Sequence, residues 1–146
     1  MKNYLIATLI ALFALGFTSC SKYEDGPFMS FSSPEKRIAG DYTVEAYYID
    51  NELITLNEIG ISQYRLVYNE DGTGTSYITV NDFTSESEFE WELDEKKENI
   101  RERVKGQNDQ WSAWSEYKQV LRLTKTEFWF IDNNSQEITE FNLIEQ

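Results

Sequence analysis

Residues 88–93 read Glu-Phe-Glu-Trp-Glu-Leu. Three glutamates alternate with three large apolar groups, and an extended strand separates such a set onto two faces where a helix would mix them. A strand of this kind is half buried, with its charged face in water. The same period of two runs through much of the chain after Gly40. Asp41–Ile49 puts Tyr42, Val44, Ala46 and Tyr48 on one face. Gln63–Tyr68 alternates through Tyr64, Leu66 and Tyr68. Thr73–Val80 pairs Ile78 with Val80, and Gly74 inside it marks a bulge or bend. Asn99–Lys105 turns Ile100 and Val104 inward as a strand, although Leu93, Ile100 and Val104 also sit at helical spacing among Glu, Lys and Arg. Glu116–Leu123 groups Tyr117, Leu121 and Leu123. Glu127–Ile131 is apolar on both faces, Phe128 and Phe130 against Trp129 and Ile131. Glu137–Ile144 closes the series with Phe141 and Leu143 inward.

Short turns join most of these eight strands. Asn69-Glu70-Asp71-Gly72 is the strongest hairpin signal, because Gly takes positive φ without strain. Leu53–Ile61, running from Asn51 to Gly60, predicts a short helix after the first strand. The expected fold is all-β: an eight-stranded antiparallel up-and-down barrel over residues 40–146, whose closure removes exposed edges. A barrel of eight strands is either filled by side chains or holds one small ligand. The inward aromatic set is Tyr42, Tyr64, Tyr68, Phe89, Trp91, Phe128 and Phe130. As a pocket lining it suits a small apolar or amphipathic ligand, with tyrosine hydroxyls for the few polar contacts. As a core it simply fills the barrel.

The N-terminus predicts an address. Lys2 is followed by a short apolar run, Leu5–Phe17, then by Thr18, Ser19 and Cys20, the one cysteine of the chain. That order is a secretory signal, and the run is too short to span a bilayer. Phe17-Thr18-Ser19-Cys20 resembles a bacterial lipobox, although Leu is usual where Phe17 stands. The resemblance implies that residues 1–19 are removed and Cys20 carries lipid, mooring the chain to a membrane. Residues 20–39 hold both prolines and several serines and read as a tether, able to reach about 60 Å when extended.

Charge and composition narrow the chemistry. The chain has 26 acidic residues, 13 basic ones and no histidine, for a net charge of −13. Nucleic-acid binding needs phosphate neutralisation by Lys and Arg, so no nucleic-acid partner is expected. Without histidine there is no Ser-His-Asp triad and no His-ligated metal. Carboxylate chemistry alone remains, and no pair of carboxylates stands out. Asn69–Gly72 and Asp132-Asn133-Asn134 read as turns rather than calcium loops, because Val67 and Arg65 occupy the preceding ligand positions. No catalytic residue, metal or cofactor is expected, and binding is expected in place of catalysis.

Gly40-Asp41-Tyr42-Thr43-Val44, Tyr64 through Gly72, and Val120–Thr124 ahead of Glu127-Phe128 make the chain resemble the lipocalin-like domains of Bacteroidetes lipoproteins. The resemblance implies ligand capture inside the barrel. Ser21-Lys22-Tyr23-Glu24-Asp25 is similar to the charged tract that directs some of those lipoproteins outward, which implies the outer membrane, on its periplasmic or cell-surface side. Lipocalins carry Gly-x-Trp on the first strand and a late arginine over that Trp; here Tyr42 takes the position and no arginine follows Arg122. Trp111-Ser112-Ala113-Trp114-Ser115 spells the WSxWS box of cytokine receptors, but this chain lacks the cysteines and length of their paired domains, so the match is expected to be chance. Trp111, Trp114 and Trp129 fall outside the inward parity. They are candidates for an outer aromatic surface that meets a protein or glycan.

Overall fold

The computed structural model describes residues 32–133 and 138–146. The signal, Cys20 and residues 21–31 of the expected tether lie outside them. One helix, α1 (Pro34–Ile38), precedes nine strands: β1 (Gly40–Ile49), β2 (Glu52–Ile54), β3 (Gln63–Tyr68), β4 (Thr73–Val80), β5 (Phe83–Leu93), β6 (Asn99–Val104), β7 (Lys118–Leu123), β8 (Glu127–Asp132) and β9 (Thr139–Glu145). All pairings are antiparallel. Neighbours in sequence pair from β3 to β9, and β1 pairs with both β3 and β9, which closes an eight-stranded barrel. The short β2 pairs with the last three residues of β1 as an added hairpin. One 3-10 turn, Leu56–Ile59, supplies the short helix expected after the first strand. The Glu58 carboxylate accepts the Thr55 N–H at 2.7 Å, and Gly60 ends the turn at φ 77°.

Helix α1 lies within the stretch read as tether, yet it is folded onto the barrel. Ile38 is fully buried there. Arg37 Nη1 donates to the Leu123 carbonyl at 2.9 Å, and the Tyr42 hydroxyl donates to the Arg37 carbonyl at 2.9 Å. This helix plugs one end of the barrel. Tyr42, Leu66, Tyr68, Phe89, Trp91, Phe128 and Leu143 fill that half.

Two bulges shift faces that simple alternation assigns otherwise. In β1 the register against β9 skips Glu45, so Val44 opposes Leu143 and Tyr47 opposes Phe141. Tyr47, not Ala46 or Tyr48, therefore joins Tyr42 and Val44 inside. In β7 the register skips Leu121, which turns Val120 and Leu123 inward in place of Tyr117 and Leu121. An inserted residue reverses parity beyond it, and period-two reading has no sign of this.

Gly74 marks no bulge. Tyr68, Gly74 and Phe89 stand opposite one another in an unbroken ladder. A side chain at residue 74 would strike the Phe89 ring and approach the Val67 carbonyl oxygen to 2.6 Å. The glycine makes room for the ring. Gly74→Ala is expected to destabilise the fold by about 1–3 kcal/mol, the range for overpacking a tight site. Its urea midpoint, compared with wild type, checks this.

Strand β5 begins five residues before Glu88. Asn81 and Asp82 both take positive φ, 47° and 66°, as a two-residue type I′ hairpin requires. Nothing in Thr84-Ser85-Glu86-Ser87 signals a buried face, and this half of the strand is largely exposed.

Candidate functional site

The half of the barrel away from α1 is open. Phe83 lies on the inward parity of β5 but is 74% exposed, and the inward Val104 of β6 is 47% exposed. Among the described residues, β6 pairs with β5 only from Phe89 to Leu93 and with β7 only at Asn99 and Ile100. Toward this mouth β7 therefore splays away from β6, and segment 111–117 takes its place along that edge.

An apolar pocket of about 130 Å³ sits at the mouth, lined by Tyr47, Leu56, Ile59, Ile61, Tyr64 and Phe141. The bulge in β1 places Tyr47 there, with its ring centroid 4.8 Å from that of Phe141. The 3-10 turn brings Leu56 and Ile59 over the opening. Burial pushes the Tyr64 hydroxyl up to about 12, helped by the charge of Glu102 and by Tyr47. Tyr64 therefore stays a neutral donor at ordinary pH. Of the seven ring residues expected to line a ligand site, Tyr64 alone borders this pocket. Tyr42, Tyr68, Phe89, Trp91, Phe128 and Phe130 are buried in the packed half and touch one another, with Tyr68 in ring contact with Tyr42, Phe89, Trp91 and Phe128.

An ion pair lies between the packed half and the mouth. Glu102 opposes Trp91 and so points inward. It accepts the Tyr68 hydroxyl at 2.7 Å and Lys118 Nζ at 2.9 Å. Lys118 Nζ also stands 5.3 Å from the centroid of the Phe130 ring. Burial raises the Tyr68 hydroxyl well above its ordinary value, and the Glu102 charge adds to the shift. A mostly buried charge pair persists only with its remaining hydrogen bonds made, and here Tyr68 makes one of them. Tyr47 and Phe141 were legible as ring residues, but only the β1 bulge brings Tyr47 inside. Glu102 shares the inward parity of Ile100 and Val104, but nothing in the sequence pairs it with Lys118.

The outer wall holds the other candidate residues. Glu88, Glu90 and Glu92 each find a cation on β6 or directly after it: Glu92 accepts from Arg101 Nε at 2.7 Å, Glu90 from Arg103 Nε at 2.6 Å, and Glu88 from Lys105 Nζ at 2.8 Å. The segment 111–117 lies along the free edge of β6. Ser112 N donates to the Val104 carbonyl and Ser115 N to the Glu102 carbonyl, while the two serine hydroxyls accept the N–H groups of Val104 and Glu102. Segment 111–117 thus does what β7 does not, pairing an otherwise open edge. Its rings interleave with the cations: Arg103 between Trp111 and Trp114, and Arg101 between Trp114 and Tyr117, at 4.7–5.3 Å. The Trp-Ser-x-Trp-Ser spacing has a structural use in this chain, three residues of segment 111–117 matching two of the strand. Trp129 is covered by Arg122 at 5.0 Å. Of the three tryptophans expected outside, Trp111 is the most open, at 37%.

No protein-family model and no curated protein matches the chain. Among solved structures, insecticyanin of the tobacco hornworm Manduca sexta, a lipocalin, superposes with a TM-score of 0.60 over 87% of this chain and 69% of that one, at 15% sequence identity. The fold is lipocalin-like. The likeness concerns fold alone at this identity. In this lipocalin-like barrel the plugged end is built from Tyr42 and Arg37, an arginine before the first strand. Among the described residues, no group of three acidic or cysteine side chains is placed to hold a metal ion, and no helix is long and apolar enough to cross a membrane.

Proposed function

We propose that the protein is a lipid-anchored binding protein of the lipoprotein type found in Bacteroidetes, which takes a small apolar or amphipathic molecule at the open mouth of its barrel. The observation that carries this reading is the apolar pocket walled by Tyr47, Tyr64 and Phe141 and roofed by Leu56 and Ile59. A dry apolar cavity of about 150 Å³ accepts a benzene ring. One ring or a short alkyl segment of the ligand enters here, and the rest lies in the splayed mouth. The lipocalin-like fold supports the same reading by analogy. The packed half leaves no room for a ligand to run the length of the barrel, so the reading is of a shallow site. The lack of histidine and of a paired-carboxylate signal supports binding over catalysis.

A neutral fluorescent probe, N-phenyl-1-naphthylamine, tests the site. Saturable enhancement is expected in wild type. Ile59 is 47% exposed, so Ile59→Asp leaves folding intact. It should weaken the probe about tenfold or more, since a carboxylate is poorly solvated against apolar walls. No probe binding in wild type, or equal binding by Ile59→Asp, would remove the proposal.

The anchor is tested separately. Lipidation of Cys20 holds the chain on the outer membrane, because two or more acyl chains give durable attachment. Cys20→Ala is expected to move the protein from the membrane pellet to the soluble fraction after a carbonate wash. Continued pelleting of the variant would rule out the lipid as the anchor.

A further inference from the structure

A second hollow, of about 280 Å³, lies on the wall of the barrel where β4, β5 and the start of segment 111–117 meet. Thr73 and Thr75 oppose Glu90 and Glu88, so they share the outward face of those glutamates. With Asn69 from the β3–β4 turn, they supply two hydroxyls and an amide, the Asn69 amide N–H and the Thr73 hydroxyl already bonding each other at 3.0 Å, and Glu88 adds a carboxylate held by Lys105 Nζ at 2.8 Å. Trp111 forms one wall. This lining differs in kind from the mouth: it combines one exposed indole with polar groups that both donate and accept.

We propose that this hollow binds a neutral hexopyranose ring. A sugar ring has one face of C–H groups and a rim of hydroxyls. The first packs on the π-face of an indole, and the second exchanges hydrogen bonds with amide, hydroxyl and carboxylate. The net charge of −13 disfavours an acidic sugar. Trp111 is also fixed before any ligand arrives. It bridges to Lys105, the neighbouring Ser112 is bonded twice to Val104, and the Arg103 guanidinium lies 5.3 Å from its ring centroid. A side chain held in this way loses little freedom on binding. The arginine–tryptophan ladder thus serves as the mount of an aromatic platform.

The test follows the Trp111 indole N–H signal in ¹⁵N-labelled protein during titration with methyl β-D-glucopyranoside, methyl β-D-galactopyranoside and methyl α-D-mannopyranoside, with D-glucuronate as the acidic control. At least one neutral sugar is expected to shift the signal saturably by about 50 mM, since contacts to one ring give millimolar dissociation constants. Glucuronate should not shift it. Thr75→Leu fills the hollow beside Trp111 without altering the hydrogen bonds of Ser112 and Ser115 to β6, and should abolish the shift with the fold intact, as judged by an unchanged ¹H–¹⁵N spectrum away from the hollow. Asn69→Ala, which deletes one polar contact, should weaken it several-fold. The proposal is overturned if none of the three neutral sugars gives a saturable shift, if the shift persists in Thr75→Leu, or if glucuronate matches the neutral sugars.

Discussion

Phe128→Ala is expected to lower the free energy of unfolding by about 3–5 kcal/mol, the usual cost of removing a fully buried phenylalanine. Phe128 opposes Leu123 on one side and Leu143 on the other, both fully buried. Its ring meets Tyr68 at 5.5 Å, Phe130 at 5.2 Å and Tyr42 at 6.1 Å. Four other strands, β1, β3, β7 and β9, thus hold the ring from different directions, and they cannot collapse together into the space it leaves. Urea unfolding should show a lower midpoint with an unchanged slope. Phe83→Ala gives the contrast. Its ring is 74% exposed, and its loss should cost less than about 0.5 kcal/mol. Equal effects of the two substitutions would mean that the packed end and the open mouth of the barrel are misassigned.

Alkali should unfold the protein cooperatively. Tyr42, Tyr64 and Tyr68 are all raised above the ordinary tyrosine value of 10, chiefly by burial. A group with a raised folded pKa stabilises the fold fully below the unfolded value and loses that contribution as pH climbs toward the folded one. Tyr64 rises to about 12. It should therefore cost the fold about 3 kcal/mol between pH 10 and 12, at 1.36 kcal/mol per unit. Tyr42 and Tyr68 are raised too and weaken the fold over the same window. Tyr68 resists ionisation through its burial and because a phenolate there would be set against the Glu102 carboxylate that its hydroxyl bonds at 2.7 Å. Far-ultraviolet circular dichroism and tyrosinate absorbance should change together above pH 10. Smooth ionisation of every tyrosine near pH 10 with the sheet intact would contradict the buried cluster.

Strand order and most of the inward set were legible because a wall one residue thick must alternate in polarity. Glu88–Leu93 shows it most clearly: its glutamates all face the β6 cations and its apolar groups all face in. Illegible features were those where backbone geometry departs from the period. The skips at Glu45 and Leu121 reverse parity with no mark in residue type, and so Tyr47 went unread as part of the mouth. Gly74 carried a signal, but its cause is a ring across the sheet. The mouth depends on how far neighbouring strands pair, which alternation does not encode. Tryptophans in 111–117 looked like free surface because their partners, Arg101 and Arg103, lie on another strand. Pro34–Ile38 looked like linker because the helix is short and owes its place to partners distant in sequence: the core around Ile38, the Leu123 carbonyl that accepts from Arg37, and Lys97, which pairs with Glu35 at 2.9 Å.

The barrel is packed solid at the α1 end, and the proposed ligand site lies at the other. Aromatic ¹H–¹³C spectra recorded with and without N-phenyl-1-naphthylamine distinguish the two ends. Shifts are expected at Tyr47, Tyr64 and Phe141, with Phe89, Trp91 and Phe128 unmoved. Shifts centred on Phe89, Trp91 and Phe128, or none at the three mouth residues, would contradict this placement of the site.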